Sequence, residues 1–541
     1  RETAHLVEGH RAVRQARAVA EVDEVLVRHG HQALVEDGQP AHARVEDADR
    51  PRIHLAIVRS VERDLPSFAV GRRFLLLVAV FFAFQASAAH AYTKTDHWLP
   101  MGDGVSLAGT LYAPDGAPPQ GGWPAVLALH GLGQDRSAMN AVAEAHLAPH
   151  GYVVLTVDAR GHGSSGGQSL LVGPREITDY AAALQWLRLR PGVADARVGA
   201  LGFSLGGGSV WKLLTAPGTR LAAAVPVMTW TSLYDALLPQ GLVKSGLIAY
   251  FHNLLPPERW DPAVTALRDD ALQGRNDAAI RAFAAQRSVR ADLGRIRTPV
   301  FMLQGRRDYA FDMQEALSAF GRLRGPKRIY LGGLGHAPSA NPPAEQPYYF
   351  GQIRMWFDRF LKGQLNGIDT RPRIELAPDP WRSRTYQASK VPARRVLRLK
   401  FRGRRTIDGI GKVVRTVAPT RRLNETFGHG LVSVKASTPT GWSHLVAVLS
   451  ALTPRGEEIV VSQGGVPTTT LRSTTRNLTI RLLSQATTIP RGSRFRLTLA
   501  GVSTAQSPSN LLYLAGPEGA SRLTVGEARI VLPVLRGPVS R

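Results

Sequence analysis

The sequence predicts an α/β domain built on a mostly parallel sheet, followed by a smaller all-β domain. Between residues 92 and 365, short apolar runs alternate with segments of helical periodicity. Beyond residue 371, strand-like runs separated by polar turns follow one another without a helical pattern. The first pattern is typical of a parallel sheet covered by helices, and the second of a β-sandwich.

The composition is that of a globular chain, and it excludes several kinds of chemistry. The 541 residues are 44% hydrophobic, which suits two or three packed domains. There is no cysteine, so disulfides, thiolate catalysis and Cys-zinc sites are excluded. The formal charge is +25, but the basic residues are scattered and do not form the stripe that nucleic-acid binding needs. We therefore expect no nucleic-acid partner, no metal and no cofactor.

Residues 70–91 have the layout of a secretory signal peptide. A basic pair precedes an apolar core at residues 74–84, and an A-x-A cleavage motif ends at Ala91. The core is short for a bilayer span, so we expect no stable membrane span after its removal; a signal anchor or a buried helix is the alternative. These features predict a secreted or cell-envelope protein.

The signal peptide begins far from the first residue. We therefore expect residues 1–69 to be a non-native or disordered extension, with translation starting at Val70 and the mature chain at Tyr92. Residues 1–67 contain no Phe, Trp, Tyr or Lys, which is typical of a chain that packs poorly.

Five apolar runs of the middle region are predicted to be buried strands. They are residues 123–131, 151–163, 197–204, 222–229 and 298–305. A helix is predicted after the second run, because four apolar residues recur on one helical face: Ile177, Tyr180, Leu184 and Leu187. In sheets of this kind, functional groups collect at the carboxyl ends of the strands.

Ser204 stands in the segment GFSLG at the end of one predicted strand. The segment matches a nucleophile elbow, in which Gly202 and Gly206 relieve crowding and expose the serine hydroxyl. The alternative is a tight glycine turn without chemistry. If Ser204 is a nucleophile, the backbone N–H groups of Leu205 and Leu132 are expected to form an oxyanion hole.

A serine hydroxyl needs a base, and the base needs an orienting carboxylate. Asp308 follows the strand at 298–305, and His336 follows the run KRIYLGGLG, which places the three residues in the order Ser, Asp, His. Asp312 is the alternative carboxylate.

A second polar loop follows the strand at 151–163. We interpret its side chains as a loop-stabilising hydrogen-bond set, because the triad is complete without them: Asp158, Arg160, His162 and Ser165.

The sequence resembles the α/β-hydrolase superfamily and, within it, the X-Pro dipeptidyl-peptidase and cocaine-esterase-like family of serine hydrolases. The resemblance rests on QGRRDYAFDMQEA, LGGLGHAP, MWFDRFLKG and the β-rich tail. It implies an α/β-hydrolase catalytic domain at 92–370 with a helical cap at about 230–290, and a jelly-roll-like β-sandwich at 371–541. It also implies a triad of Ser204, Asp308 and His336. The loop HGLGQDRS departs from the family, because it lacks the tyrosine that helps to build the oxyanion hole.

We therefore expect a secreted serine hydrolase that cleaves ester or X-Pro-type amide bonds of a small ester or short peptide through an acyl-enzyme on Ser204. A carboxylesterase or acyltransferase without peptidase activity is an alternative, as is a surface binding protein with a vestigial site. A dipeptide-releasing enzyme must hold a substrate ammonium group, and we single out five acidic residues of the predicted cap as candidates for this: Asp235, Glu258, Asp261, Asp269 and Asp270.

Overall fold

The computed structural model describes residues 91–336, 341–506, 509–514 and 521–539. The predictions for residues 1–69 and for the signal peptide at 70–91 concern a segment that lies, apart from Ala91, outside the described residues. None of the helices in the described ranges combines the length and the apolar character that crossing a bilayer requires.

A ten-stranded sheet forms the centre of the first domain, in the order β1-β2-β4-β3-β5-β6-β7-β8-β9-β10. Its strands are β1 (Tyr92–Pro100), β2 (Ser106–Pro114), β3 (Trp123–Leu129), β4 (Val153–Val157), β5 (Val193–Phe203), β6 (Ala223–Val227), β7 (Val300–Gly305), β8 (Lys327–Gly332), β9 (Ile374–Leu376) and β10 (Tyr386–Ala388). The strands from β3 to β9 run parallel, and β1, β2 and β10 add antiparallel edges.

Helices cover both faces of this sheet. The longer ones are α1 (Pro174–Arg188), α2 (Leu205–Leu213), α3 (Leu233–Leu237), α4 (Ser245–His252), α5 (Pro262–Leu272), α6 (Asp277–Gln286), α7 (Gln314–Arg322) and α8 (Gln346–Leu361). Short helical turns are Arg136–Met139, Asn140–Val142, Ala143–Leu147, Ala148–His150, Pro239–Gly241, Pro257–Arg259, Leu293–Arg295, Pro343–Glu345 and Ser509–Leu512.

The central strands are apolar throughout because both of their faces are covered. Along β3, Leu127 faces a core that includes α1 and α2, whereas its neighbours Val126 and Ala128 face a core that includes α8. Every residue of β3, β4, β6 and β7 is buried. The four apolar residues that predict α1 are also buried, at 7% exposure or less.

Helices α3 to α6 lie between β6 and β7 in the chain and form the inserted cap. Glu315 of α7 anchors the start of the cap, since its carboxylate accepts hydrogen bonds from the N–H and the hydroxyl of Thr231. The other carboxylate oxygen of Glu315 pairs with Arg290, near the end of the cap, at 2.6 Å. One buried carboxylate therefore holds both ends of the insertion.

The C-terminal domain is an antiparallel sandwich. Its strands are β11 (Arg394–Phe401), β12 (Arg405–Asp408), β13 (Lys412–Pro419), β14 (Asn424–Glu425), β15 (Leu431–Ser437), β16 (His444–Leu452), β17 (Glu458–Pro467), β18 (Arg476–Arg481), β19 (Thr488–Ile489), β20 (Arg494–Ala500) and β21 (Arg522–Leu535). One sheet has the order β11-β21-β15-β18 with β12 beside β21, the other has the order β13-β20-β16-β17, and β14 pairs with β19.

The sandwich and the α/β domain share packed apolar surface. Leu445 and Leu449 of β16 face the core of the sandwich, whereas Val446 and Val448 face the core of the α/β domain. The last two strands of the large sheet lie beyond residue 370, and the first sandwich strand begins at Arg394. The predicted fold class, an α/β-hydrolase with a helical cap and a C-terminal β-sandwich, is confirmed.

Candidate active site

Ser204 lies in a strained turn between β5 and α2. Its φ is 52° and its ψ is −110°, a conformation that costs a non-glycine residue about 1–3 kcal/mol. The surrounding hydrogen bonds hold the turn, since the Ser204 N–H donates to the Val227 carbonyl at 2.9 Å and the Ser204 carbonyl accepts from the Thr229 hydroxyl at 2.8 Å.

Two glycines make this turn possible. A Cβ on Gly202 would lie 2.2 Å from the carbonyl oxygen of Gly206, and a Cβ on Gly206 would lie 2.3 Å from that of Leu129. Neither position has room for a side chain, because the backbones of β3, β5 and α2 are in direct contact there. The glycines that define the sequence motif are therefore required by close approach.

The structure brings the three predicted triad residues together. The Nε2 atom of His336 lies 2.9 Å from the Ser204 Oγ, and its Nδ1 lies 2.8 Å from the Asp308 Oδ2. When the ring hydrogen is on Nδ1, it is donated to the carboxylate, and Nε2 accepts the serine proton. The ring of Phe311 packs edge-on against His336 at 4.9 Å, which restricts the imidazole to this orientation.

Asp308, and not Asp312, is the partner of the histidine. The Oδ1 of Asp308 accepts hydrogen bonds from the N–H groups of Ala310 at 2.8 Å and Phe311 at 3.3 Å, which leaves Oδ2 facing His336. Asp312 is engaged elsewhere, because its carboxylate accepts from the N–H of Gln314 and from the N–H of Ser484 in the sandwich domain.

Lys244 supports the loop that carries Asp308. Its side chain is buried, and the ammonium donates to the carbonyls of Tyr309 at 3.1 Å and Ala310 at 2.7 Å. Burial lowers the pKa of Lys244 to about 8, and nearby carboxylates, among them Asp308, oppose this shift. Sequence reasoning missed this residue, although a lysine within the apolar run GLVKSGLIAYF was a usable signal.

The sandwich domain holds the same loop from the other side. Arg306 and Ala486 exchange backbone and side-chain hydrogen bonds at 2.7 and 2.9 Å. Gln485 donates to the carbonyl of Arg307 at 3.1 Å. The Arg306 guanidinium also forms a fully buried ion pair with Glu425. The position of Asp308 therefore depends on both domains.

The two residues predicted to supply the oxyanion hole lie beside Ser204. Leu205 begins α2, and the N–H groups of a first helical turn have no acceptor within the helix. The Gly206 N–H donates to the carbonyl of His130 at 3.0 Å, which fixes the loop after β3 against the helix. Leu132, in that loop, lines the same pocket as Ser204. Their role in stabilising an oxyanion stays a prediction.

The polar loop after β4 forms a separate hydrogen-bond set. Asp158 binds the Arg136 side chain at 2.6 Å and also its N–H. Arg160 forms a buried two-bond pair with Asp179, and the Ser165 hydroxyl donates to the Asp158 carbonyl at 2.7 Å. These residues do not line the Ser204 pocket.

His162 in this loop is buried without full hydrogen bonding. Its Nδ1 lies 3.1 Å from the carbonyl of Arg160, and its Nε2 has no partner among the described residues. Burial lowers the pKa of His162 to about 3, and the neighbouring His130 ring, 5.2 Å away, contributes in the same direction. The ring is therefore neutral in the folded protein at ordinary pH.

Ser204 opens into an apolar pocket beneath the cap. Aromatic and aliphatic side chains of the elbow, the cap and the loops after β3, β4 and β7 make up most of its lining: Leu132, Leu171, Leu205, Trp230, Leu233, Leu237, Leu238, Ile248, Phe251, Trp260, Val264, Leu267, Ala271, Ile280, Phe283, Ala284 and Phe311. Among the described residues that line it, the polar side chains besides Ser204 are Tyr234, His252 and Arg268. No carboxylate of the described chain lines it.

The five acidic cap residues lie elsewhere. Asp235 pairs with Arg290, and Asp269 lies 3.2 Å from the guanidinium of Arg268. Asp270, near the end of α5, accepts hydrogen bonds from Arg275 and Asn276 in the loop after it, and Asp261 accepts from the Ala263 N–H at the start of α5. Glu258 lies in an exposed turn. None of the five lines the Ser204 pocket.

Comparison with known proteins shows which family this chain resembles. Residues 103–338 match the family model of the X-Pro dipeptidyl-peptidases, the S15 family. Over this region the chain is similar to the X-Pro dipeptidyl-peptidases. A Streptomyces avermitilis protein, provisionally named a Xaa-Pro dipeptidyl-peptidase, is 25% identical over 365 residues. That match covers 57% of this chain and 53% of the relative, so it spans about half the length of each protein.

Solved structures share the fold of this chain. A CocE/NonD family hydrolase from Staphylococcus aureus has a TM-score of 0.63 at 16% identity, covering 82% of this chain and 94% of its own. An α-amino acid ester hydrolase has a TM-score of 0.62 at 16% identity, covering 83% and 97%. The predicted resemblance is confirmed, because the family match is to the X-Pro dipeptidyl-peptidases and the structural neighbours include a CocE/NonD family hydrolase.

Replacing Lys244 by Met should impair turnover more than binding. The substitution removes the ammonium that fixes the peptide groups around Asp308, and a misplaced triad costs roughly tenfold to a hundredfold in rate. We expect kcat for the best ester or amide substrate to fall by that factor while KM changes little. Lys212→Met is the control, because Lys212 is half-buried on α2 and donates to Ser288, away from the triad. A raised KM with kcat unchanged would contradict the role of Lys244.

His162 should make the fold sensitive to acid. The unfolded chain binds a proton near pH 6.5 but the folded chain only near pH 3, so the contribution of His162 to stability is complete above pH 6.5 and is lost as the pH falls towards 3. The slope in this window is at most about 1.4 kcal/mol per pH unit. In denaturant unfolding at several pH values, the free energy of unfolding of His162→Asn should decrease less steeply as the pH is lowered than that of the wild type. Equal slopes would show that His162 does not carry this dependence.

Proposed function

We propose that this chain is a secreted serine carboxylesterase that takes esters with an apolar acyl group. It is a hydrolase of the X-Pro dipeptidyl-peptidase and CocE type. The observation that favours ester over peptide substrates is the pocket itself, which is apolar around Ser204 and has no lining carboxylate in the described part of the chain.

The geometry supports an acyl-enzyme mechanism. The Ser204 Oγ attacks the ester carbonyl as its proton passes to the Nε2 of His336, and Asp308 stabilises the imidazolium through Nδ1. The N–H groups of Leu205 and Leu132 stabilise the oxyanion of the tetrahedral intermediate. The proton on Nε2 then leaves with the alkoxide. Water, deprotonated by the same histidine, releases the acid and restores Ser204.

Peptide substrates fit this pocket less well. An enzyme that removes N-terminal dipeptides must bury the ammonium group of its substrate, which is costly unless a carboxylate pairs with it. The acidic residues of the cap are paired with arginines, bound to backbone groups or exposed, and do not line the pocket. An acyl chain needs only apolar surroundings.

Export is part of the proposal. It rests on the basic, apolar and A-x-A regions of residues 70–91. N-terminal sequencing of the protein from its native source should find a mature chain that begins near Tyr92, and a mature chain that retains residues 70–91 would contradict export by this signal.

A matched pair of esters tests the preference. p-Nitrophenyl 4-methylpentanoate and leucine p-nitrophenyl ester differ only in the α-ammonium group, and they share the scissile bond and the leaving group. With the amine protonated, we expect kcat/KM for the first to exceed that for the second by at least about tenfold, because the unpaired ammonium must be desolvated.

Ser204→Ala serves as the blank for this comparison, and Ala-Pro p-nitroanilide measures peptidase activity. Faster cleavage of the leucine ester or of the anilide would contradict the proposed preference and would indicate an enzyme that binds the ammonium group of its substrate.

A further inference from the structure

A second, larger cavity lies between the cap and the sandwich domain. Gly241, Ser245 and Ala249 line it from the cap, and Ser443 and Pro467 line it from the sandwich. Most of its lining is apolar in character, and Ser204 is not part of it.

The second cavity and the Ser204 pocket share a wall. Four side chains line both spaces: Tyr234, Leu238, Ala271 and Ile280. Leu238, Ala271 and Ile280 form a small apolar cluster of their own, separate from the main cores of the protein. Side chains from α3, the turn after it, α5 and α6 therefore separate the two spaces.

The polar groups of this wall face the second cavity. The Tyr234 hydroxyl is hydrogen-bonded to Asp277 and to the Arg281 guanidinium, the latter at 2.7 Å, and this guanidinium stacks on the Tyr234 ring at 3.8 Å. Asp277 and Arg281 line only the second cavity, and both are more than half exposed. The Tyr234 ring thus lies between the apolar Ser204 pocket and the solvent-exposed, charged part of the second cavity.

We propose that the acyl pocket continues through this wall into the cavity between cap and sandwich, so that the substrates are esters of long, unbranched fatty acids. The inference rests on the proposed esterase function and adds the class of acyl group. A flexible chain can pass between side chains that shift their rotamers, whereas a branched or ring-bearing acyl group stays on the Ser204 side. Each additional methylene buried along this path should raise kcat/KM by about fourfold.

Chain-length profiles test the inference. The full-length protein is assayed with p-nitrophenyl esters from acetate through hexanoate and decanoate to laurate. In Ala271→Trp, an indole fills the shared wall, so the ratio of kcat/KM for laurate to kcat/KM for acetate should fall by at least about tenfold. Ala266→Trp is the matched control, because residue 266 is exposed on the same helix, and it should keep the wild-type profile.

Acetate hydrolysis also reports whether each variant has folded. If Ala271→Trp does not fold, Ile280→Phe narrows the same wall and is expected to give the same selective loss. The inference would be overturned by a wild type that cleaves the acetate and hexanoate esters but not the laurate ester. It would also be overturned by variants that leave the rate of laurate hydrolysis unchanged. Either result would still be consistent with the proposed esterase function. A wild type that cleaves none of these esters would overturn the proposed function itself.

Discussion

The hydrogen bonds around the Asp308 loop are the interaction on which the rest of the site depends. The N–H groups of Ala310 and Phe311 bind the carboxylate, while Lys244 binds carbonyls of the same peptides from the cap side. On the other side of the loop, the sandwich domain contributes hydrogen bonds from residues 484–486 and the buried ion pair of Arg306 with Glu425. Removing one member of such a pair leaves an uncompensated buried charge. The C-terminal domain is therefore part of the scaffold of the candidate triad.

A separate set of contacts stabilises the strained backbone conformation of Ser204. Backbone contact between β5, α2 and the end of β3 leaves space only for glycine at positions 202 and 206, and the turn is kept by hydrogen bonds to β6 and Thr229. The hydroxyl is thus presented to His336 by rigid elements. The cap lines the pocket over it with apolar side chains. In the proposed esterase, the sheet positions the catalytic residues and the insertion between β6 and β7 selects the acyl group.

Sequence reasoning reached the fold and the three triad positions because these leave local signals. The GFSLG segment, the strand-like runs and the order of Ser204, Asp308 and His336 are visible along the chain. The role of Lys244 was missed, since its partners lie 65 and 66 residues away and its function depends on tertiary packing. The orientation of the acidic cap residues could not be predicted from the sequence either, because their contacts with neighbouring arginines depend on how the cap helices pack together.

The central claim is that Ser204 is an activated nucleophile. Labelling with a fluorophosphonate, followed by mass-spectrometric mapping of the modified peptide, tests it most directly. We expect a single phosphonylated residue, Ser204, in the wild-type protein, and no labelling of Ser204→Ala. Labelling of the variant at the wild-type rate, or modification of a different residue, would contradict it.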